Sequence, residues 1–159
     1  MKYILLFCFA LFFLAGCKKS NSSAKSYYRM TINGVRVPCD NGIRANKTTT
    51  QNNLLYIDGQ WSAGGLRIEI FNFANTAGTW MVNPNFGSSP RFTLFEGQIQ
   101  YDAGDGGFNG GQLGSGKVII LEISDEFIKG TFEFTSSPSL FTNMSRTVTQ
   151  GEFQVTKRL

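Results

Sequence analysis

Histidine is absent from the 159 residues, proline occurs four times and cysteine three times. Without imidazole there is no Ser–His or Cys–His nucleophile pair, and a metal site would have to rest on carboxylates. Two of the cysteines, Cys8 and Cys17, lie in the N-terminal segment, which leaves Cys39 as the single thiol of the remaining chain and excludes an internal disulfide framework. A long hydrophobic run is also missing. The apolar stretch Tyr3 to Phe13 is about a dozen residues, short of the roughly 20 that a spanning helix needs. Beyond Ser26 there is hardly any helical periodicity. The formal charge of +4 and pI near 9.1 suggest nucleic acid at first sight, but from Tyr27 onward 11 Lys and Arg balance 11 Asp and Glu. The excess sits in Lys2 near the start and in Lys18, Lys19 and Lys25, so the composition predicts no nucleic-acid binding.

The N-terminus carries the most specific motif. Met1-Lys2 is a short basic start, Tyr3 to Phe13 an apolar core, and Leu14-Ala15-Gly16-Cys17 follows. This order fits a secretory leader, and the last four residues resemble the bacterial lipobox. The resemblance implies cleavage after Gly16, acylation of Cys17, and residues 1–16 as a removed signal peptide. Bacterial lipoproteins of this kind carry two or three acyl chains, which anchor stably where one would bind only marginally. A plain secretory signal with Cys17 incidental is the alternative. Residues 17–26, with Lys18 to Ser26 polar, small and aperiodic, read as lipid anchor and flexible tether. Each of its lysines beside anionic lipid is worth about 1 kcal/mol.

Residues 27–159 read as one all-β domain. Runs of Val, Ile, Phe, Tyr, Thr and Trp recur between Gly, Asn, Asp and Ser breaks, which predicts an antiparallel two-sheet sandwich or flattened calycin-like barrel of about eight to ten strands. Asn33-Gly34 supplies a type I′ turn. A two-residue loop pairs Ile32 with Val35, Met30 with Val37 and Tyr28 with Cys39, all on one face, so Cys39 points into the core. Asn41 to Asn53 reads as one short strand and a loop. Leu54 to Ile57 reads as a strand ended by Asp58-Gly59, Leu66 to Phe73 as an alternating strand, Gly78 to Val82 as another stopped at Asn83-Pro84, and Arg91 to Tyr101 as a single long run. In the hairpin from Lys117 to Ser137, a turn at Ser124 to Phe127 pairs Ile123 with Ile128, Glu122 with Lys129, Leu121 with Gly130 and Ile119 with Phe132. Arg146 to Val155 is the last strand, with a bulge at Gln150-Gly151 and Phe153 and Val155 inward.

Gly104 to Gly116 holds seven glycines in thirteen residues and reads as a long loop. Asp102 just before it, with Asp105 and Asn109 within it, invites a calcium reading, but neither the EF-hand spacing nor the Gly-Gly-x-Gly-x-Asp repeat is present. Ser22-Ser23-Ala24-Lys25 matches the Ser-x-x-Lys of penicillin-binding enzymes, but in a tether rather than on a helix. No metal or cofactor is expected.

Hydrophobic-x-x-Asn-Gly near the start of the domain, Gly78-Thr79-Trp80, Gly116-Lys117-Val118-Ile119, Lys129-Gly130-Thr131-Phe132-Glu133-Phe134 and Thr147-Val148-Thr149-Gln150-Gly151-Glu152-Phe153 together resemble an uncharacterised all-β domain of Bacteroidetes lipoproteins. That family usually has Tyr where this chain has Trp80. The resemblance implies a fold and an envelope address, and no activity.

Two classes of function follow. A non-catalytic module could bind a small ligand or an envelope protein through Trp61, Trp80, Tyr56 and Tyr101, which could line a barrel mouth or form a surface platform. The bland alternative packs those rings into core and rim and leaves a purely structural envelope protein. A carboxylate-based hydrolase would draw on Glu69, Glu122 and Glu133, but all three fall at outward strand positions. Surface-displayed lipoproteins of this group carry acidic residues after the Cys. Lys18-Lys19-Ser20-Asn21 has none, which points to an outer-membrane lipoprotein facing the periplasm, with display on the cell surface as the alternative.

Overall fold

The computed structural model describes residues 25–48, 53–83, 89–104 and 114–158. The leader, Cys17, most of the tether, Pro84 and most of the glycine-rich tract lie outside them. The described residues are all-β, with no helix and eleven strands: β1 Tyr27–Ile32, β2 Val35–Cys39, β3 Asn41–Thr48, β4 Leu54–Trp61, β5 Gly64–Ile70, β6 Gly78–Met81, β7 Arg91–Glu96, β8 Ile99–Ala103, β9 Ser115–Ile123, β10 Phe127–Thr135 and β11 Thr147–Arg158.

They form one curled sheet in the order β6-β9-β10-β11-β3-β4-β5-β7-β8, with β1 and β2 added beside β11. The curl turns on β11. From Val148 to Gln154 its open side is covered by antiparallel β1, and at Lys157 and Arg158 by parallel β3. One half of the sheet is thereby folded over the other. Phe92 of β7 stacks on Phe134 of β10 at 4.7 Å between ring centroids, and the Tyr28 ring of β1 lies over Gly59 of β4. The core fills the space between, with Ile57, Ile68, Leu94, Val118, Val148 and Val155 fully buried.

The first hairpin has the expected register: Tyr28 opposite Cys39, Met30 opposite Val37, Ile32 opposite Val35. Asn33 and Gly34 take φ of 47° and 84°, the left-handed pair that a type I′ turn requires. Cys39 is buried as expected, whereas Val35, although on the same face, is 67% exposed because the hairpin tip overhangs the core.

Several expected boundaries are corrected. Asp58-Gly59 does not end a strand. β4 runs on to Trp61 because Asp58 is clamped between its two cross-strand neighbours, Arg44 Nε at 2.9 Å and Arg67 Nε at 2.8 Å. A carboxylate with two guanidinium partners sits in a sheet as well as a threonine does. Asn41 to Thr48 is a full eight-residue strand. β5 stops at Ile70, where Asn72 turns the chain with φ of 55°. Arg91 to Tyr101 is two strands, broken at Gly97 with φ of 60°. That split takes the strand number to eleven.

In the β9–β10 hairpin, Ile123 opposite Ile128 and Glu122 opposite Lys129 are as expected, but a bulge after Lys129 shifts the rest by one. Gly130 faces Ile120 rather than Leu121, and Phe132 faces Val118 rather than Ile119. Ile120 and Val118 therefore enter the core, while Leu121 is 53% exposed. A one-residue slip reverses every side chain beyond it. The space at Gly130 is used, as expected, by a large neighbour, but the neighbour is Phe153 of the adjacent β11 rather than a ring from a facing sheet. A Cβ at Gly130 would stand 2.5 Å from that ring. Gln150-Gly151 is the expected bulge, with Gln150 at φ 52° and Phe132 packed on Gly151.

Burial, with help from the Asp40 charge, pushes the Cys39 thiol from its ordinary 9.0 up to about 12. Burial likewise raises the Tyr28 hydroxyl. Between pH 9 and 12 the unfolded chain loses the Cys39 proton while the native state keeps it. This contribution to stability is therefore complete below about pH 9 and declines as pH rises toward 12. Urea unfolding is expected to show a lower midpoint at pH 10.5 than at pH 8, with a smaller difference in Cys39→Ala; equal differences in the two proteins would contradict it.

Candidate binding cleft

The four aromatic residues singled out from the sequence do not form one surface. Tyr101, opposite Leu94 on β8, faces the core and is fully buried, so it cannot be the solvent-facing contact expected of it. Alternation decides this, since Gln100 and Asp102 take the opposite face, where the Gln100 amide donates to both Asp102 oxygens. Trp80 on β6 is half-buried against the core, 5.7 Å from the Phe73 ring. Tyr56 lies on the outer face of β4 beneath the Arg67 guanidinium. Trp61 opens onto a cleft of about 410 Å³ at one end of the fold.

Four chain connections meet there. The β1–β2 hairpin contributes Ile32, Asn33, Val35 and Val37; the β4–β5 connection brings Trp61 and Ala63; the end of β7 brings Glu96; and the approach to β11 brings Arg146. Backbone hydrogen bonds hold these ends together. Asn33 N–H donates to the Thr147 carbonyl at 2.9 Å, Thr147 N–H returns to Asn33 Oδ1 at 2.9 Å, and Gly97 N–H donates to the Ala63 carbonyl at 3.0 Å. The cleft is thus pre-formed rather than left to mobile side chains.

Its walls are Trp61 and aliphatic groups, and its polar corner is a single ion pair. Arg146 Nε and Nη2 both donate to Glu96 Oε2, at 2.9 and 2.8 Å. Hydrogen bonding to Glu96 raises the Arg146 pKa further, so the guanidinium keeps its charge. Beneath it the guanidinium covers the Tyr101 ring at 4.4 Å, and the Tyr101 hydroxyl is buried with no hydrogen-bond partner. Tyr101 therefore supports the cleft from below instead of touching its contents. Sequence reasoning missed Arg146 and Glu96. Nothing local marks them, because they belong to different connections fifty residues apart.

The carboxylates named for a hydrolase are occupied or solvated. Glu69 holds Arg91 at 3.3 Å, Glu133 holds Lys117 at 3.0 Å, and Glu122 stands exposed opposite Lys129. Among the described residues no three of Cys, Asp and Glu gather closely enough to hold a metal ion.

No family model, no curated protein and no solved structure matches the chain.

Proposed function

We propose that this chain is a lipid-anchored outer-envelope protein whose β domain is a non-catalytic binding module, with the Trp61 cleft as its ligand site. The lipobox and the resemblance to Bacteroidetes lipoproteins support the address, and the cleft carries the binding reading. A pre-formed, mostly apolar hollow of about 410 Å³ with one fixed polar corner has the size and lining of a small-molecule site. Its ligand is a compact, largely apolar group bearing a polar end that meets Arg146 and Glu96. An apolar side chain of an envelope partner has the same chemistry. The absence of histidine from the chain and the engagement of Glu69 and Glu133 with cations favour binding over hydrolysis.

The position of the cleft suits a tethered binder. The tether joins the domain at Ser26, whose hydroxyl shares a 2.8 Å hydrogen bond with that of Thr156 near the end of β11. The cleft lies beyond the start of β11, at Arg146. At roughly 3.3 Å per residue the strand holds them about 30 Å apart, so the cleft faces away from the anchor.

The test uses anilinonaphthalene sulfonate, an amphiphilic probe with an apolar body and an anionic end. Its fluorescence is expected to rise on the wild-type protein and fall by at least about tenfold in apparent affinity on Trp61→Ala, the effect of losing one large apolar contact. Trp80→Phe is expected to leave it unchanged. Equal binding by Trp61→Ala and wild type would remove the cleft from the reading.

A further inference from the structure

The outer face of the half-sheet β6-β9-β10-β11-β1-β2 carries a second concavity, independent of the Trp61 cleft. A groove of about 470 Å³ crosses β9, β10, β11, β1 and β2, and a depression of about 290 Å³ adjoins it at Lys117 and Glu133. The bulge at Gln150-Gly151 makes the hollow. Register shifts on both sides of β11, between Arg29 and Thr31 and between Phe132 and Phe134, bend the sheet there and open its floor toward Met30 and Phe132.

The side chains over this floor form two rows. In the first, Arg36 stands opposite Thr31, the Thr31 hydroxyl donates to Gln150 Oε1 at 3.2 Å, and Glu133 pairs with Lys117 across β10 and β9. In the second, Arg29 bonds Glu152 through Nη2 at 2.6 Å and Nε at 3.1 Å, and Thr131 lies opposite Glu152. Three cations and two carboxylates therefore line the groove. Each carboxylate holds one cation, and Arg36, exposed on the edge strand β2, has no carboxylate partner among the described residues.

We propose that this groove binds an acidic oligosaccharide, with a ring carboxylate of the sugar on Arg36. The lining alternates hydroxyl, amide, carboxylate and cationic groups, and so offers donors and acceptors side by side. A ligand whose own groups both donate and accept, as sugar hydroxyls do, satisfies such a surface without displacing the ion pairs. The single unpaired guanidinium matches a ligand with sparse negative charge, since its planar fork takes one carboxylate through two hydrogen bonds. A densely anionic chain would instead meet Glu133 and Glu152. The groove and its adjoining depression reach from β2 to β6, about 24 Å across six strands, which suits an oligomer rather than one sugar.

The test is calorimetric titration of the wild-type protein with tetragalacturonic acid and with the neutral galactose tetramer. The acidic tetramer is expected to bind at least about tenfold more tightly, the equivalent of one charge-assisted hydrogen-bonded contact. Arg36→Ala is expected to abolish that difference, Arg36→Lys to restore part of it, and added salt to weaken it. Arg36 is exposed, so thermal unfolding of both variants should match wild type and separate lost binding from lost folding. Trp61→Ala should bind the acidic tetramer unchanged, which keeps this site distinct from the cleft. Equal binding of the two tetramers, binding of neither, or an Arg36→Ala protein that still discriminates between them would overturn the proposal. Tighter binding of a tetraglutamate peptide would assign the groove to a protein partner and overturn the saccharide reading.

Discussion

Replacing Phe153 with alanine is expected to cost about 3–5 kcal/mol of stability, the range for truncating a buried aromatic ring. Phe153 is fully buried where β10, β11 and β1 meet. Its ring is 6.2 Å from that of Tyr28 and 6.3 Å from that of Phe132, and it covers Gly130, which has no side chain of its own. Truncation would leave a hollow bounded by a glycine on one side and by rings held on two other strands. Such a site collapses poorly, so the upper half of the range is expected. Leu121→Ala is the matched control: at 53% exposure it should change stability by less than about 0.5 kcal/mol. Chemical denaturation of the two variants reads both values. A large loss at Leu121 would restore the unshifted hairpin register and reject the bulge after Lys129.

Cys17→Ala is expected to have the largest effect of any single substitution on where the protein resides. At about 0.8 kcal/mol per buried methylene, one acyl chain binds a membrane only reversibly and a second makes the attachment stable. The thiol of Cys17 is the one group in Leu14-Ala15-Gly16-Cys17 that could take a lipid, and cleavage before it would supply the amine for another chain. Intact-mass measurement of membrane-extracted protein is expected to give a chain beginning at Cys17 plus acyl mass. The Cys17→Ala protein should carry no acyl mass and keep its leader. A wild-type chain with any other N-terminus, or without lipid, would reject the anchor, and with it the orientation proposed for the cleft.

The relation between the two candidate sites follows from the curl of the sheet. The cleft lies at an open end, where four connections converge, while the groove lies on the outer face of one half. A ligand in one touches no residue that lines the other, since their lining residues do not overlap. Variants of Trp61 and Arg36 can therefore be read separately: Arg36 stands between Val35 and Val37 of the cleft wall, but alternation along β2 turns it to the other face.

What could be read from the chain alone was whatever a few neighbouring residues decide. The all-β class followed from alternation, and the pairing of Tyr28 with Cys39 followed from Asn33-Gly34, whose two left-handed residues admit one loop length and hence one register. The inward setting of Phe153 and Val155 and the bulge at Gln150-Gly151 were legible for the same reason. The misreadings came where a distant partner overrides the local signal. Asp58-Gly59 has the composition of a turn, but Arg44 on one neighbouring strand and Arg67 on the other neutralise Asp58, and the strand continues. The hairpin from Lys117 to Ser137 gave two matched pairs near its turn, but the bulge after Lys129 then moved Leu121 to solvent and Ile120 to the core. Tyr101 was legible as aromatic and not as buried, because its burial depends on which half of the sheet folds over β8. The candidate sites lie mostly on that second side of the division: Trp61 and the hairpin beside it were legible, and their charged neighbours were not. Arg146 meets Glu96, and Arg36 is left without a carboxylate among the described residues, because the curl along β11 decides which strands become neighbours. Local sequence sets the turns and the alternation, and the long-range pairing of strands sets which charges find partners and which hollows stay open.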